Sequence, residues 1–179
     1  MKKADRLAIL AITDDPLDIY SISNEFELLD SIDAIERCIR SSIEYRGWTF
    51  WQKIHNKQST CIALNIDAFD YDNITLEMHH YPFSLFDVCW TIGLKMLSEL
   101  SEDAIYTTFD IASKVITEHF KDIIGLVPMT KTYHQMYHEG LYTIDSSKIH
   151  GDYKLFIEKY KNFIPEIVLD RYNEKIGVI

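Results

Sequence analysis

Two stretches carry four of the chain's seven histidines: Leu76-Glu77-Met78-His79-His80, and Leu126-Val127-Pro128-Met129-Thr130-Lys131-Thr132-Tyr133-His134-Gln135-Met136-Tyr137-His138-Glu139-Gly140. The first has the composition of a short strand. Successive side chains on a strand point to opposite faces, so His79 and His80 are expected to face apart. The second is expected to run strand, turn, helix. On that helix His134 and His138 are four residues apart, which puts their Cβ atoms about 5–6 Å apart on one face. Two imidazoles so placed can grip one metal ion, although surface or half-buried histidines show the same spacing. The strand pair admits two readings. One histidine is a ligand and the other a general base beside a phosphate, or one is buried and the other solvated. The residues alone leave both open.

With 179 residues, 47% hydrophobic and 13% aromatic, the chain is expected to fold as a single domain, 1–179, around its own core. Six glycines and four prolines are few, which favours helices over a turn-rich all-β fold. No apolar run approaches the roughly 20 residues of a membrane span, so no membrane partner is expected. The opening Met1-Lys2-Lys3-Ala4-Asp5-Arg6-Leu7 is broken by charge too soon for a signal peptide. Cys38, Cys61 and Cys89 are odd in number and widely spaced. They read as reduced core cysteines of a cytoplasmic protein, and against a cysteine zinc site. The formal charge of −10 argues against tight non-specific binding of nucleic acid, which relies on a basic footprint. Even the densest basic stretch, Lys148 to Lys161, also holds Asp152 and Glu158.

Along the chain, residues 4–12 form an apolar run too short to assign to helix or strand, and Thr13-Asp14-Asp15-Pro16 is a turn signal. Ile32, Ile35, Ile39 and Ile43 keep helical steps, predicting a helix from Ser31 to about Tyr45 that Gly47 interrupts. Trp48, Phe50, Trp51 and Ile54 continue an aromatic-rich segment as far as His55. Residues 60–66 and 74–80 are expected to pair as a hairpin across an acidic loop. That loop has neither the central glycine nor the closing glutamate of an EF-hand, so it reads as a polar turn. Ser84 is expected to cap a buried helix to about Glu99, and Ser101-Glu102-Asp103 to open another to about Lys121. Pro128 is expected to end a strand over 124–127. Thr130 or Thr132 caps the helix reaching His138, and Gly140 closes it. Asp152 and Pro165 then start two C-terminal helices. The fold class is helix-dominated α+β. His55 and His150 carry no site signal, and His119 reads as a cation suited to a helix C-terminus.

Glu77-Met78-His79-His80, followed downstream by a short strand and Thr130 to Gly140, resembles the HNH, or ββα-metal, nucleases, closest to the variant of the nuclease colicins. The similarity covers 74–82 and 124–140, with a helical insert over 84–121 and C-terminal helices over 152–175. It implies a strand pair packed on a helix around one divalent ion: Zn, Mg, Mn or Ni. By position, His79, His134 and His138 become metal ligands, His80 the general base and Glu77 a supporting carboxylate. Lys131 is the nearby cation able to touch a phosphate. The implied activity is metal-dependent endonuclease hydrolysis of phosphodiester bonds in DNA or RNA, with nucleic acid as partner and a phage or mobile-element origin. Gly125 stands where the family carries its asparagine, and Glu139 replaces a basic residue. These departures define the alternative, a catalytically lapsed HNH-like metal-binding scaffold acting through a protein partner.

Overall fold

The computed structural model describes residues 19–177 apart from 57, 102 and 103. The apolar run at 4–12 and the turn after it lie outside the described residues. In chain order the elements are β1 (Ser21–Ile22), α1 (Glu25–Ser41), α2 (Ile43–His55), β2 (Leu76–His80), α3 (Leu85–Ser98), β3 (Tyr106–Thr107), α4 (Thr108–Phe120), β4 (Leu126–Thr130), α5 (Lys131–His138), α6 (Tyr153–Tyr160) and α7 (Glu166–Ile176). Among the described residues, then, the fold is α+β, with seven helices and two two-stranded antiparallel sheets, β1–β3 and β2–β4.

α1 is the central helix. Asn24 caps it by accepting from the Glu27 N–H, and Leu28, Ile32, Ile35 and Ile39 form a fully buried stripe at helical steps. That stripe packs with Val88, Cys89 and Ile92 of α3 and with Ile111 and Val115 of α4 to make the main core. The segment expected as an insert therefore supplies much of this core. The break between α1 and α2 falls at Ser42 and not at Gly47. The Ser42 N–H donates to the Cys38 and Ile39 carbonyls, while its hydroxyl accepts from the Tyr45 N–H. One serine thus satisfies orphan groups of both helix ends, and Gly47 stays inside α2.

Three other boundaries differ from expectation. Residues 60–66 do not form a hairpin with β2: the Asn65 N–H bonds the Cys61 carbonyl and the Cys61 N–H bonds the Ile66 carbonyl, folding the run on itself. β2 pairs instead with β4, in the register His79↔Val127 and His80↔Leu126. Pro128 does not end β4. Leu126 exchanges both its backbone bonds with His150, and the Pro128 carbonyl accepts from the Ile62 N–H. Alternate residues of β4 therefore face away from β2, and the missing proline donor breaks no bond between the strands. Finally, α4 starts at Thr108, because Thr107 is paired with Ser21 and forms a capping box with Asp110.

The β2–β4 pair separates the main core from a smaller cluster of Cys61, Leu76, Tyr81, Val127, Met129 and Ile144. At its end the backbones meet closely. The Tyr81 N–H donates to the Gly125 carbonyl at 3.0 Å, and a Cβ on Gly125 would lie 2.1 Å from the Tyr81 carbonyl oxygen. No side chain fits there, asparagine included. α7 closes the structure over this end: Arg171 pairs with the buried Asp87 at 2.5 Å and Lys175 donates to the Pro82 carbonyl at 2.8 Å. Gly125→Ala is expected to cost about 1–3 kcal/mol, because the obstacle is backbone and cannot rotate away. Thermal denaturation followed by circular dichroism checks this, at about 2–4 °C per kcal/mol for a chain of this size. An unchanged midpoint would mean that the two backbones separate at no cost.

Candidate metal centre

Strand alternation on β2 sends Glu77 and His79 toward α5, and Met78 and His80 toward the main core. His79 Nδ1 lies 2.9 Å from His134 Nε2, and His138 Nε2 lies 3.0 Å from the same atom. His134 Nδ1–H donates to Glu77 Oε2 at 2.5 Å. That bond fixes the tautomer of His134 and aims the lone pair of its Nε2 at the other two rings. The Tyr137 ring stands beside His79, with centroids 4.8 Å apart. Among the described residues, His79, His134 and His138 form a group able to hold a metal ion, their ligand atoms all within 4.8 Å of one another.

The donor set fits an ion with small adjustment. Tetrahedral ligation at about 2.0–2.1 Å places nitrogens about 3.3 Å apart. The observed separations of 2.9 and 3.0 Å need to open by only a few tenths of an ångström. Three imidazoles favour a borderline ion such as Zn²⁺ or Ni²⁺ over the oxygen-seeking Mg²⁺ and Mn²⁺. Protonation also suits a metal. Burial, reinforced by His134 and His138, pushes His79 down to about 3, and burial followed by the His134 charge lowers His138. Both rings are neutral near pH 7, the form that ligates.

Two expected site residues lie elsewhere. His80 is buried on the other side of β2, its Nε2 2.9 Å from His119 Nε2. The His119 Nδ1–H donates to the Val115 carbonyl at 2.8 Å, which leaves its Nε2 to accept from the His80 Nε2–H. Tyr45 and Trp48 pack edge-on against His119, each at 5.1 Å. A base held this way has no path to a substrate at the three-histidine cluster. Lys131 is exposed at the start of α5 and lines a separate cleft of about 440 Å³ with Asn73, Thr75 and Tyr133. His119, expected as a cation suited to a helix C-terminus, differs most from expectation. It is fully buried and neutral, burial pushing it down to about 4. Its position had a signal: Ile111, Val115 and His119 follow at steps of four, along the buried face of α4. His55 is exposed at the end of α2, and His150 serves through its backbone bridge to Leu126.

An α+β domain with a three-histidine cluster between a strand pair and a short helix is compatible with many activities and assigns none. Residues 12–178 match the family described as Bacteriophage G278-like virion protein, and the chain belongs to that family. No curated protein and no solved structure matches it. The family corrects the resemblance drawn above. This is a phage virion protein and not an HNH nuclease, so the endonuclease and hydrolase expectations fall. So does the lapsed HNH-like alternative, which that family gives no support. The nucleic-acid partner is likewise unsupported, while the phage origin agrees. The physical reason is that four histidines at helix and strand spacings specify little. Here one of the four, His80, belongs to the core, and Gly125 sits where packing tolerates no side chain. No described helix is long and apolar enough to cross a membrane.

The buried pair sets a pH dependence. His119 titrates near the usual 6.5 when unfolded and near 4 when folded, so between these values the unfolded chain binds the extra proton. Stability is therefore full above pH 6.5 and declines as the pH falls toward 4. His119→Gln, which keeps an acceptor for His80, is expected to reduce the slope of unfolding free energy against pH by about 1.4 kcal/mol per unit in that window. Denaturant titrations at stepped pH measure it. An unchanged slope would show that His119 is already protonated in the fold.

Proposed function

We propose that this chain is a structural protein of the phage particle, acting through contacts with other virion proteins. In the same reading, one divalent ion held by His79, His134 and His138 clamps the β2–β4 sheet to α5. Family membership supports the first part, and the convergence of three imidazole nitrogens, one oriented by Glu77, supports the second. The ion's task is mechanical. α5 has eight residues and none of them is buried, and a helix so short is marginal in water without help. One ligand on β2 and two on α5 hold it where packing is thin. Because a preformed site is absent from the unfolded chain, the binding energy becomes folding energy. The chain is made in the cytoplasm of the infected cell, where Cys38, Cys61 and Cys89, all free and buried, stay reduced.

Peptide mass spectrometry of purified particles is expected to recover the chain at a fixed ratio to the major particle protein. Absence from particles, despite expression during infection, would remove the structural role. Separately, chelator-treated protein is expected to take up one equivalent of Ni²⁺ or Co²⁺. At a hundredfold excess over Kd the thermal midpoint rises by about 5–10 °C. His134→Ala abolishes uptake, and Glu77→Gln keeps the stoichiometry but weakens affinity by about 10–100-fold. No uptake of either ion would end the metal half of the proposal and leave the structural half standing.

A further inference from the structure

We infer that the outer face of α2 is a homodimer interface on which two copies of this helix pair antiparallel. Ile43, Gly47, Phe50 and Ile54 recur at steps of four, three and four, the spacing by which one helix seats against another. All of that seam is turned outward. Ile43 is 48% exposed, Phe50 64% and Ile54 43%, while Tyr45, Trp48 and Gln52 on the opposite side of the helix are buried. Trp51 and Phe120, both exposed, widen the patch, and together with Ile43 and Gly47 they border a groove of about 600 Å³. A contiguous apolar face of this kind is seldom left in water.

The occupant follows from the shape of the seam. A Cβ built on Gly47 would meet no atom within 4 Å, so the seam has an open notch one helical turn from its largest projecting side chain, Phe50. A twofold axis crossing α2 midway between them places Phe50 of each copy over Gly47 of the other. It also brings Ile43 of each copy against Ile54 of the other. The same operation sets Glu44, at the start of α2, beside His55 at the end of the other copy's α2, and aligns the two helix dipoles antiparallel. Any other protein would have to supply both the knob for Gly47 and the notch for Phe50. This chain carries both at matching spacing. The inference stands independently of the metal centre and of the role in the particle.

Sedimentation equilibrium of the full chain across micromolar concentrations is expected to show a reversible monomer–dimer equilibrium. Phe50→Glu and Gly47→Leu each raise the dissociation constant by about tenfold or more. The thermal midpoint of the Phe50→Glu monomer stays that of the native monomer, since the side chain has no core role. Oxidative cross-linking gives a second readout, because the native cysteines are buried. A mixture of Gly47→Cys and Phe50→Cys chains forms the mixed covalent dimer in preference to either self-linked product. A monomer at every concentration overturns the inference, as does a dimer that Phe50→Glu leaves unchanged or an absence of preference for the mixed product.

Discussion

The antiparallel pairing of Leu76–His80 with Leu126–Thr130 is the constraint on which the rest of the molecule depends. It joins segments separated in the chain by α3 and α4, both of which pack on α1 in the main core. Its closing contact is between backbones, at Tyr81 and Gly125, with no side chain to cushion it. Once the register is set, alternation decides the fate of adjacent histidines. His79 goes to the side of α5, and His80 goes into the core.

The two histidine clusters that result are chemically unlike, although each brings ring nitrogens within 3.0 Å of one another. The inner pair is closed. Val115 fixes the proton on His119, His80 donates to the remaining lone pair, and aromatic rings seal the pair from water. The outer trio is open. Glu77 fixes the proton on His134, and the lone pair it frees faces two further imidazoles at a partly exposed surface. A neutral pair satisfied within a core strengthens the fold's specificity. Three nitrogens around one point make a site for a cation. The difference lies in which second group orients the central ring, and in whether water reaches it.

Charge is arranged with similar economy. Glu118 is fully buried, yet it bonds Lys159 at 2.5 Å and Lys121 at 3.1 Å. Burial pushes this carboxyl upward, but the hydrogen bonds from Lys159 and Lys121 outweigh it and hold the group below its usual value. The pair with Lys159 ties α4 to α6, as Asp87 and Arg171 tie α3 to α7. The C-terminal helices are thus fastened to the main core by ions at its edge, while among the described residues the outer face of α2 keeps Ile43, Phe50, Trp51 and Ile54 exposed.

Local chemistry made much of this legible in advance. The steps of Ile32, Ile35 and Ile39 marked α1, Ser84 and Asp152 stood where helices begin, and alternation required His79 and His80 to part. The helical spacing of His134 and His138 likewise placed them on one face of α5. Other features had no local signature. Nothing in residues 60–66 says that β2 will pass them over for a strand far downstream, because an unpaired strand edge accepts any partner that packing delivers. Pro128 is harmless only because that partner lies on its other side, and Gly125 is obligatory only because Tyr81 arrives against it. His119 reads as a helix-end cation until α2 brings Tyr45 and Trp48 over it. The sequence by itself determined the helical stripe of α1, the caps at Ser84 and Asp152, and the opposite facing of His79 and His80, since those follow from spacing along one chain segment. Which histidines meet, and which are sealed from water, was decided only by tertiary structure, because desolvation and pairing are properties of segments brought together.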